Sequence, residues 1–566
     1  MDCEAVPAHL RKYVVAQDYG AYSARDQAVW RFVLTQTHAR HLRTAHPAYA
    51  SGFAAAGISV DRIPNIAHMS EQLARVGFRA VCVDGFIPPR AFQAFQARGV
   101  LPIAADMRSV AQLAYTPAPD IIHEAAGHAP FLAQPDYALY LRRIGEAGEH
   151  AFETPHDRAV YQAIYTLSEL KQQSDATPEQ VLRAEQALAA LYRGEHEVSE
   201  ATRLSRLYWW TVEYGLVGTP TDYRLYGAGL LSSIGEGHFC HAPEVDKRVL
   251  TADCSELTYD ITRAQPHLFV ARDFAHLHEV LSSVEQQLSY ARGGRQALER
   301  ARRSEEIATL RLQRGLSLVG RVEAFDDACV LLGGACAVVD AHRAPPHITR
   351  VDGPYCLVLG ALDDGTPLHR VSVAQLRARE AADGLCLRTR AGLTVRGRIV
   401  TLDGTEGGVR RVRLHDCVIE RGASLLVPRV ASYELVFAHE VETASPLLPD
   451  GFDPPTESSP QLVPRPRELS PTDRTLEALH ERASAALHGL LGSAAVGVLA
   501  QLHDQLTRAF PDEWLLRFNV LEALLRLGER TGPLASTVEA ELEQLEVRFV
   551  QREPIATGLR SLRALG

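Results

Sequence analysis

At 566 residues, with 46% hydrophobic and 23% charged side chains, the chain has the make-up of a folded globular protein and exceeds what one apolar core usually serves, so two to four domains are expected. A net charge of −10 without a basic stripe excludes the electrostatic footprint of a nucleic-acid binder. No membrane span is expected, because the most apolar stretch, 487–502, is too short and contains His488 and Gln501.

Met1-Asp2-Cys3-Glu4 is acidic where a secretory leader would be basic, and the nine cysteines form no C-x-x-C pair, so the expected location is the reducing cytoplasm. Residues 24–42 read as a helix, with Val29, Phe32 and Val33 at helical spacing. Asp61-Arg62-Ile63-Pro64 breaks that pattern, and 79–84 alternates like a short strand. Pro119 and Asp120 open a further helix. Thr177-Pro178-Glu179-Gln180 carries a capping hydroxyl, a first-turn proline and a glutamine three residues on; the helix behind it runs through Val181, Leu182, Leu188 and Leu191.

Beyond about residue 315 the texture changes. Leu393 to Ile399 alternates apolar and polar, and Asp363-Asp364-Gly365 and Asp403-Gly404 are turn signals, so 315–442 reads as a small β-rich domain. Residues 443–469 are proline-rich linker chemistry. From 470 to 566 a helical bundle is expected, its first helix carrying Leu476, Leu479, Ala483, Leu487 and Leu490. The fold class is thus multidomain: a mainly α-helical (α+β) unit over 1–300 with a helical insertion at about 150–200, then the β-rich domain and the bundle.

The chemistry concentrates in His123-Glu124-Ala125-Ala126-Gly127-His128. Residues five apart on an unbroken α-helix point about 140° apart. A zinc protease motif spaces its histidines by four instead, which disfavours a zinc hydrolase with Glu124 as base. His123 and His128 can share a metal only at a helix end or where the backbone bends, and Gly127 and Pro130 suggest such an end. Glu213, a carboxylate in the apolar run Tyr208 to Leu216, is the best third ligand, because a buried carboxylate needs a cation or a metal beside it, or else must be protonated. Two imidazoles and one carboxylate on one face of iron(II) leave positions open for oxygen and a co-substrate.

With these residues the chain resembles the tetrahydropterin-dependent aromatic amino acid hydroxylases, the family of phenylalanine, tyrosine and tryptophan hydroxylases. The resemblance runs from about Asp61 to Phe274, through the blocks 85–92, 115–120, 123–128, 208–216, 226–236 and 265–274. It implies iron(II), a tetrahydropterin co-substrate and O2, with His123, His128 and Glu213 as metal ligands and catalytic centre. It also implies a pterin pocket of Gly85, Ile87 and Phe92, with Glu124 reaching the pterin through water. Arg108, Thr116, Pro119, Trp209, Gly229 and Ser232 would form the substrate pocket, Arg108 gripping the substrate carboxylate. The implied reaction is ring hydroxylation of an aromatic amino acid, phenylalanine to tyrosine.

His128 and Glu213 are 85 residues apart, more than the family's usual gap, Ala125-Ala126 replace bulkier residues, and Ala118 stands where an acid is common. Pocket size therefore leaves room for tryptophan or a small aryl acid such as an aminobenzoate. A different reading makes the chain a degenerate binding or regulatory protein, against which the intact ligand set argues. Expected partners are the small aromatic substrate and, through the carboxy-terminal domains, further copies of the chain.

Overall fold

The computed structural model describes residues 6–83, 85, 87–113, 119–172, 176–194, 196–261, 263–342, 346–351, 354–405, 408–449, 451–452, 470–530, 532–548 and 552–564. A 21-residue helix, Ala24–Thr44, forms the spine of the N-terminal half. Ser23 starts it with a reciprocal cap: its hydroxyl accepts from the Asp26 amide while the Asp26 carboxylate accepts from the Ser23 amide. Val29, Trp30, Phe32 and Val33 are buried along it. The parallel strands Arg79–Val83 and Val100–Ala104 are joined by the helix Pro89–Ala97, whose first turn accepts two prolines because its amides have no helical partner. A four-stranded sheet orders Asp222–Leu225, Leu216–Thr219, His267–Ala271 and Asp246–Val249.

Between these lie Pro135–Glu149 and a projecting pair of helices, Pro155–Gln172 and Pro178–Leu191. Thr177 and Gln180 form the capping box of the second. That helix buries none of its residues, and Leu182 is exposed, so its apolar pattern does not report a core face.

The β-rich region consists of two six-stranded sheets. One is ordered His347–Val351, Cys329–Asp340, Leu316–Phe325, Ile307–Leu312 and Val441–Ser445; the other centres on the long antiparallel pair Leu393–Thr405 and Gly408–Arg421. Its limits differ from the expected 315–442. Ile307–Leu312 already belongs to it, and Val441–Ser445, its residues 443–445 expected to begin the linker, pairs with that strand from Val441↔Leu312 to Ser445↔Thr309. Strand identity there comes from the partner rather than from local composition. The linker residues 453–469 lie outside the described residues.

The last region holds the helices Pro471–Leu487, Ala495–Ala509, Trp514–Arg526, Pro533–Arg548 and Arg552–Ala564. Leu476, Leu479, Ala483 and Leu487 are buried, but the first helix ends at Leu487 and Leu490 is exposed, so the expected stripe stops one position short. In space the bundle is not separate. Its buried apolar residues and most of those of the N-terminal half form one apolar cluster, in which the Phe32 ring lies 4.8 Å from Phe518 and 5.0 Å from Trp514. Among the described residues no helix is long and apolar enough to cross a membrane.

Candidate metal centre and surrounding pocket

Two short departures from α-helical geometry bring the candidate ligands together. Ile122–His128 is wound as a π-helix, followed by a 3-10 turn, Ala129–Ala133. In a π turn the bonds run between residues five apart, so His123 and His128 return to one side of the backbone. The carboxylate of Asp120 receives the His123 amide at 3.0 Å and so caps the entry to this turn. Gly127 is required by close approach: a Cβ there would stand 2.7 Å from the Ala228 carbonyl oxygen. Ala125 and Ala126 are buried as well. Glu213 ends a second π-helical turn, Trp209–Glu213, which extends the helix Glu200–Tyr208.

His123 Nε2 lies 3.2 Å from one Glu213 carboxylate oxygen, His128 Nε2 lies 3.2 Å from the other, and the two imidazole nitrogens are 3.2 Å apart. One ligand atom from each residue falls within 4.8 Å of the others. His123 Nδ1 is 3.0 Å from the Ser232 hydroxyl, whose own hydrogen goes to the Ala228 carbonyl at 2.8 Å. Ser232 is therefore left to accept from Nδ1–H, which keeps the His123 Nε2 lone pair bare toward the cluster. Burial alone would raise Glu213, but His123 and His128 overcome it and hold the carboxyl well below its ordinary range. Two imidazole nitrogens and a carboxylate are a donor set that fits iron(II).

Glu124 is different. Burial pushes it up to about 8, and its Oε2 is a buried atom without a hydrogen-bond partner. Such an atom requires a polar partner in the working protein, as the water link to a pterin would provide. The flat ring of Phe92 stands 6.4 Å from the His128 ring and 6.4 Å from Tyr208. Ile87 is buried nearby in chain and space, and Gly85 takes φ +61°, where a side chain would be strained. Tyr208 accepts a 2.7 Å bond from the buried amide of Gln96.

Arg108 is placed differently from an open clamp. Its side chain is 1% exposed, and it grips Asp120 through Nε and Nη2, both at 2.7 Å, while Nη1 donates to the Ser232 carbonyl at 3.1 Å. Arginine has five N–H donors, so two are left beyond these three contacts. Arg108, Asp120 and Ser232 thus form a brace behind both the π turn and His123. Burial would raise Asp120, yet Arg108 and the His123 amide hold it low.

Trp209 is stacked against Tyr259 at 4.2 Å and lies 4.6 Å from Tyr214, forming an aromatic wall. Trp210, by contrast, is core: it is buried and its indole N–H bonds the Leu257 carbonyl at 3.1 Å. A Cβ on Gly229 would come within 3.1 Å of the Glu213 carbonyl and of the Tyr214 ring, so this glycine admits the ligand-bearing backbone. Pro119 is exposed at the entry to the π turn, and Thr116 lies outside the described residues. Sequence reasoning missed Asp120 as the partner of Arg108, along with Gln96 and Tyr259. Asp120 had a signal, standing three residues before His123 as a cap does.

The profile of the biopterin-dependent aromatic amino acid hydroxylases matches residues 14–175 and 182–292. Through those residues, somewhat under half of the chain, this protein is similar to that family. The hydroxylase half is 29% identical to phenylalanine-4-hydroxylase of Chromobacterium violaceum over 288 residues, covering 48% of this chain and 82% of that protein. It is 27% identical to human tyrosine 3-monooxygenase, covering 46% of this chain and 42% of the human one. Among solved structures, the C. violaceum phenylalanine hydroxylase with iron(III) and 7,8-dihydrobiopterin bound is 25% identical, with a TM-score of 0.38, over 49% of this chain and 86% of that one. The gap in the profile match, 176–181, covers the start of the second projecting helix, Pro178–Leu191, so the match reaches into the segment expected to be an insertion.

Proposed function

We propose that residues 14–292 carry an iron(II)- and tetrahydropterin-dependent monooxygenase that hydroxylates the ring of an aromatic amino acid, with phenylalanine to tyrosine as the reaction. The observation that carries this reading is the meeting of His123, His128 and Glu213 around one point. The profile match and the phenylalanine-4-hydroxylase relatives support the substrate class. Ferrous iron, oxygen and the reduced pterin together supply the oxidising chemistry.

The protein's own residues do the rest. His123, His128 and Glu213 would hold the metal on one face, with Ser232 fixing the His123 tautomer. Phe92 would present a flat surface to the pterin, while Glu124 offers its unpartnered oxygen. The two spare N–H groups of Arg108 would take the substrate carboxylate, held in orientation because Asp120 grips the other edge of the guanidinium. Trp209, backed by Tyr259, would wall the ring.

The test is a panel of phenylalanine, tryptophan, tyrosine and aminobenzoates, assayed for pterin-coupled oxygen uptake with mass spectrometry of products. Phenylalanine should give the highest kcat/KM and a product heavier by one oxygen atom. Pterin oxidation that never depends on an aromatic acid would defeat the proposal; a preference for tryptophan or an aminobenzoate would keep the chemistry and replace the substrate.

A further inference from the structure

The helix Pro89–Ala97, which carries Phe92, begins with a charge in the wrong place. Arg90 lies in its first turn, where a cation opposes the helix dipole, and that turn has no acidic side chain. The compensating carboxylate comes from beyond the family-matched residues. Arg90 Nη1 donates to one Glu306 oxygen at 3.0 Å and Nη2 to the other at 3.1 Å, a two-pronged pair. Nη2 also reaches the Ala151 carbonyl at 3.2 Å and Glu153 at 3.8 Å, and Arg158 approaches Glu306 at 3.6 Å.

Glu306 immediately precedes Ile307–Leu312, the first strand of the β-rich region. The chain delivers it through an uncommon conformation. Glu305, which caps the helix Gly294–Ser304, takes φ 58° and ψ 11°, the left-handed region that a side chain rarely adopts. The Glu306 amide is then tied back to the Ser304 hydroxyl at 3.2 Å. With only 14% of its side chain exposed, Glu306 is more shielded than a surface ion-pair partner.

We propose that Glu306 is a positioning residue for the pterin pocket: through Arg90 the β-rich region seats the helix Pro89–Ala97, and with it the ring of Phe92. The proposal gives that region a part in cofactor affinity, and it rests on the reading of Gly85, Ile87 and Phe92 as the pterin pocket.

The test uses the full chain, with tetrahydrobiopterin as the probe. Glu306→Gln should weaken tetrahydrobiopterin binding about tenfold in anaerobic calorimetry of iron-free protein. In iron-loaded enzyme the KM for the pterin should rise in step, while kcat and the KM for the aromatic acid stay within about twofold of native. Glu306→Asp should recover most of the affinity. Unchanged pterin affinity in Glu306→Gln would overturn the proposal, as would equal losses for pterin and aromatic acid, the mark of general loosening. If the native chain binds no pterin, the function proposed above fails instead. Amide exchange across 89–97 then decides the seating: faster exchange in Glu306→Gln sustains it and unchanged exchange removes it.

Discussion

Around residues 123, 128 and 213 the chain gathers polar atoms and leaves several of them without protein partners, whereas in the β-rich region the buried carboxylate of Asp340 is held between two arginines. Glu124 Oε2, His128 Nδ1 and Trp209 Nε1 are all buried and unbonded beside the ligand cluster. In the β-rich region Asp340 meets Arg410 at 2.8 Å and Arg411 at 3.6 Å, and Arg411 meets Asp403 at 3.0 Å. An unmade buried hydrogen bond costs about 1–3 kcal/mol, so several around the proposed ligand cluster favour a site that a bound group completes. The contrast separates a place built to bind from a place built to hold. It predicts that substitutions in the first should cost function and substitutions in the second should cost stability.

The largest effect is expected at Glu213. Glu213→Ala removes one of the three proposed ligands and the only carboxylate among them, so iron affinity should fall by more than about a hundredfold, beyond the usual cost of outer contacts. Product formation should disappear while the far-ultraviolet circular dichroism stays native. Near-native iron content and turnover in this variant would take Glu213 out of the ligand set.

Asp340→Asn provides the converse. It leaves Arg410 and Arg411 sharing Asp403 alone, at a cost of about 3 kcal/mol in denaturant unfolding of the β-rich region. Burial would raise Asp340, but Arg410, the His342 amide and Arg411 outweigh it and depress the pKa. The stability this residue contributes is therefore complete above the ordinary carboxylate range and is lost as pH falls through its lower folded value. Asp340→Asn should flatten that acid limb and leave kcat unchanged. A loss of turnover matching the loss of stability would erase the distinction between the two regions.

Ser232 tests the boundary between holding and binding. Ser232→Ala removes the acceptor for His123 Nδ1–H without touching a ligand, and iron affinity should fall about 10–100-fold. Iron titration against a competing chelator measures this, and an unchanged affinity would mean that His123 is oriented by packing alone.

How much of this was legible depends on what each residue's meaning rests on. His123, His128 and Glu213 could be picked out because their residue types and spacing are themselves chemical statements. The π-helical winding that unites them could not be read directly, since a five-residue spacing is equally compatible with a broken helix, and no propensity distinguishes the two. Arg108 was legible as a carboxylate binder, but its nearest carboxylate proved to be Asp120, a contact that only the folded chain reveals. The strand Val441–Ser445 was hidden because its identity is lent by Ile307–Leu312, far away in sequence. The stripe Leu476, Leu479, Ala483 and Leu487 announced a buried face, yet an apolar stripe does not name the surface it meets. Here that surface adjoins Ala24–Thr44, which makes the bundle part of the catalytic half's core.

The smallest effect is expected at the tip of the hydroxylase half, where neither binding nor holding dominates. The helix Pro178–Leu191 buries no side chain, so its stability rests heavily on local terms. Thr177 accepts from the Gln180 amide while Gln180 returns a bond to the Thr177 amide at 2.7 Å. Thr177→Ala should cost about 1 kcal/mol. Because the loss is local, it should appear as faster amide exchange across 178–191 with no shift of the global unfolding midpoint. Its effect on turnover is the informative part. Tyr192, which follows this helix, lies within electrostatic reach of Tyr259, the residue stacked on Trp209. If fraying stays within the helix, kcat/KM for phenylalanine will be native and the projecting pair is scaffold. If kcat/KM falls while iron and pterin affinities hold, the pair braces the aromatic wall, and the line between the two regions has to be drawn outside it.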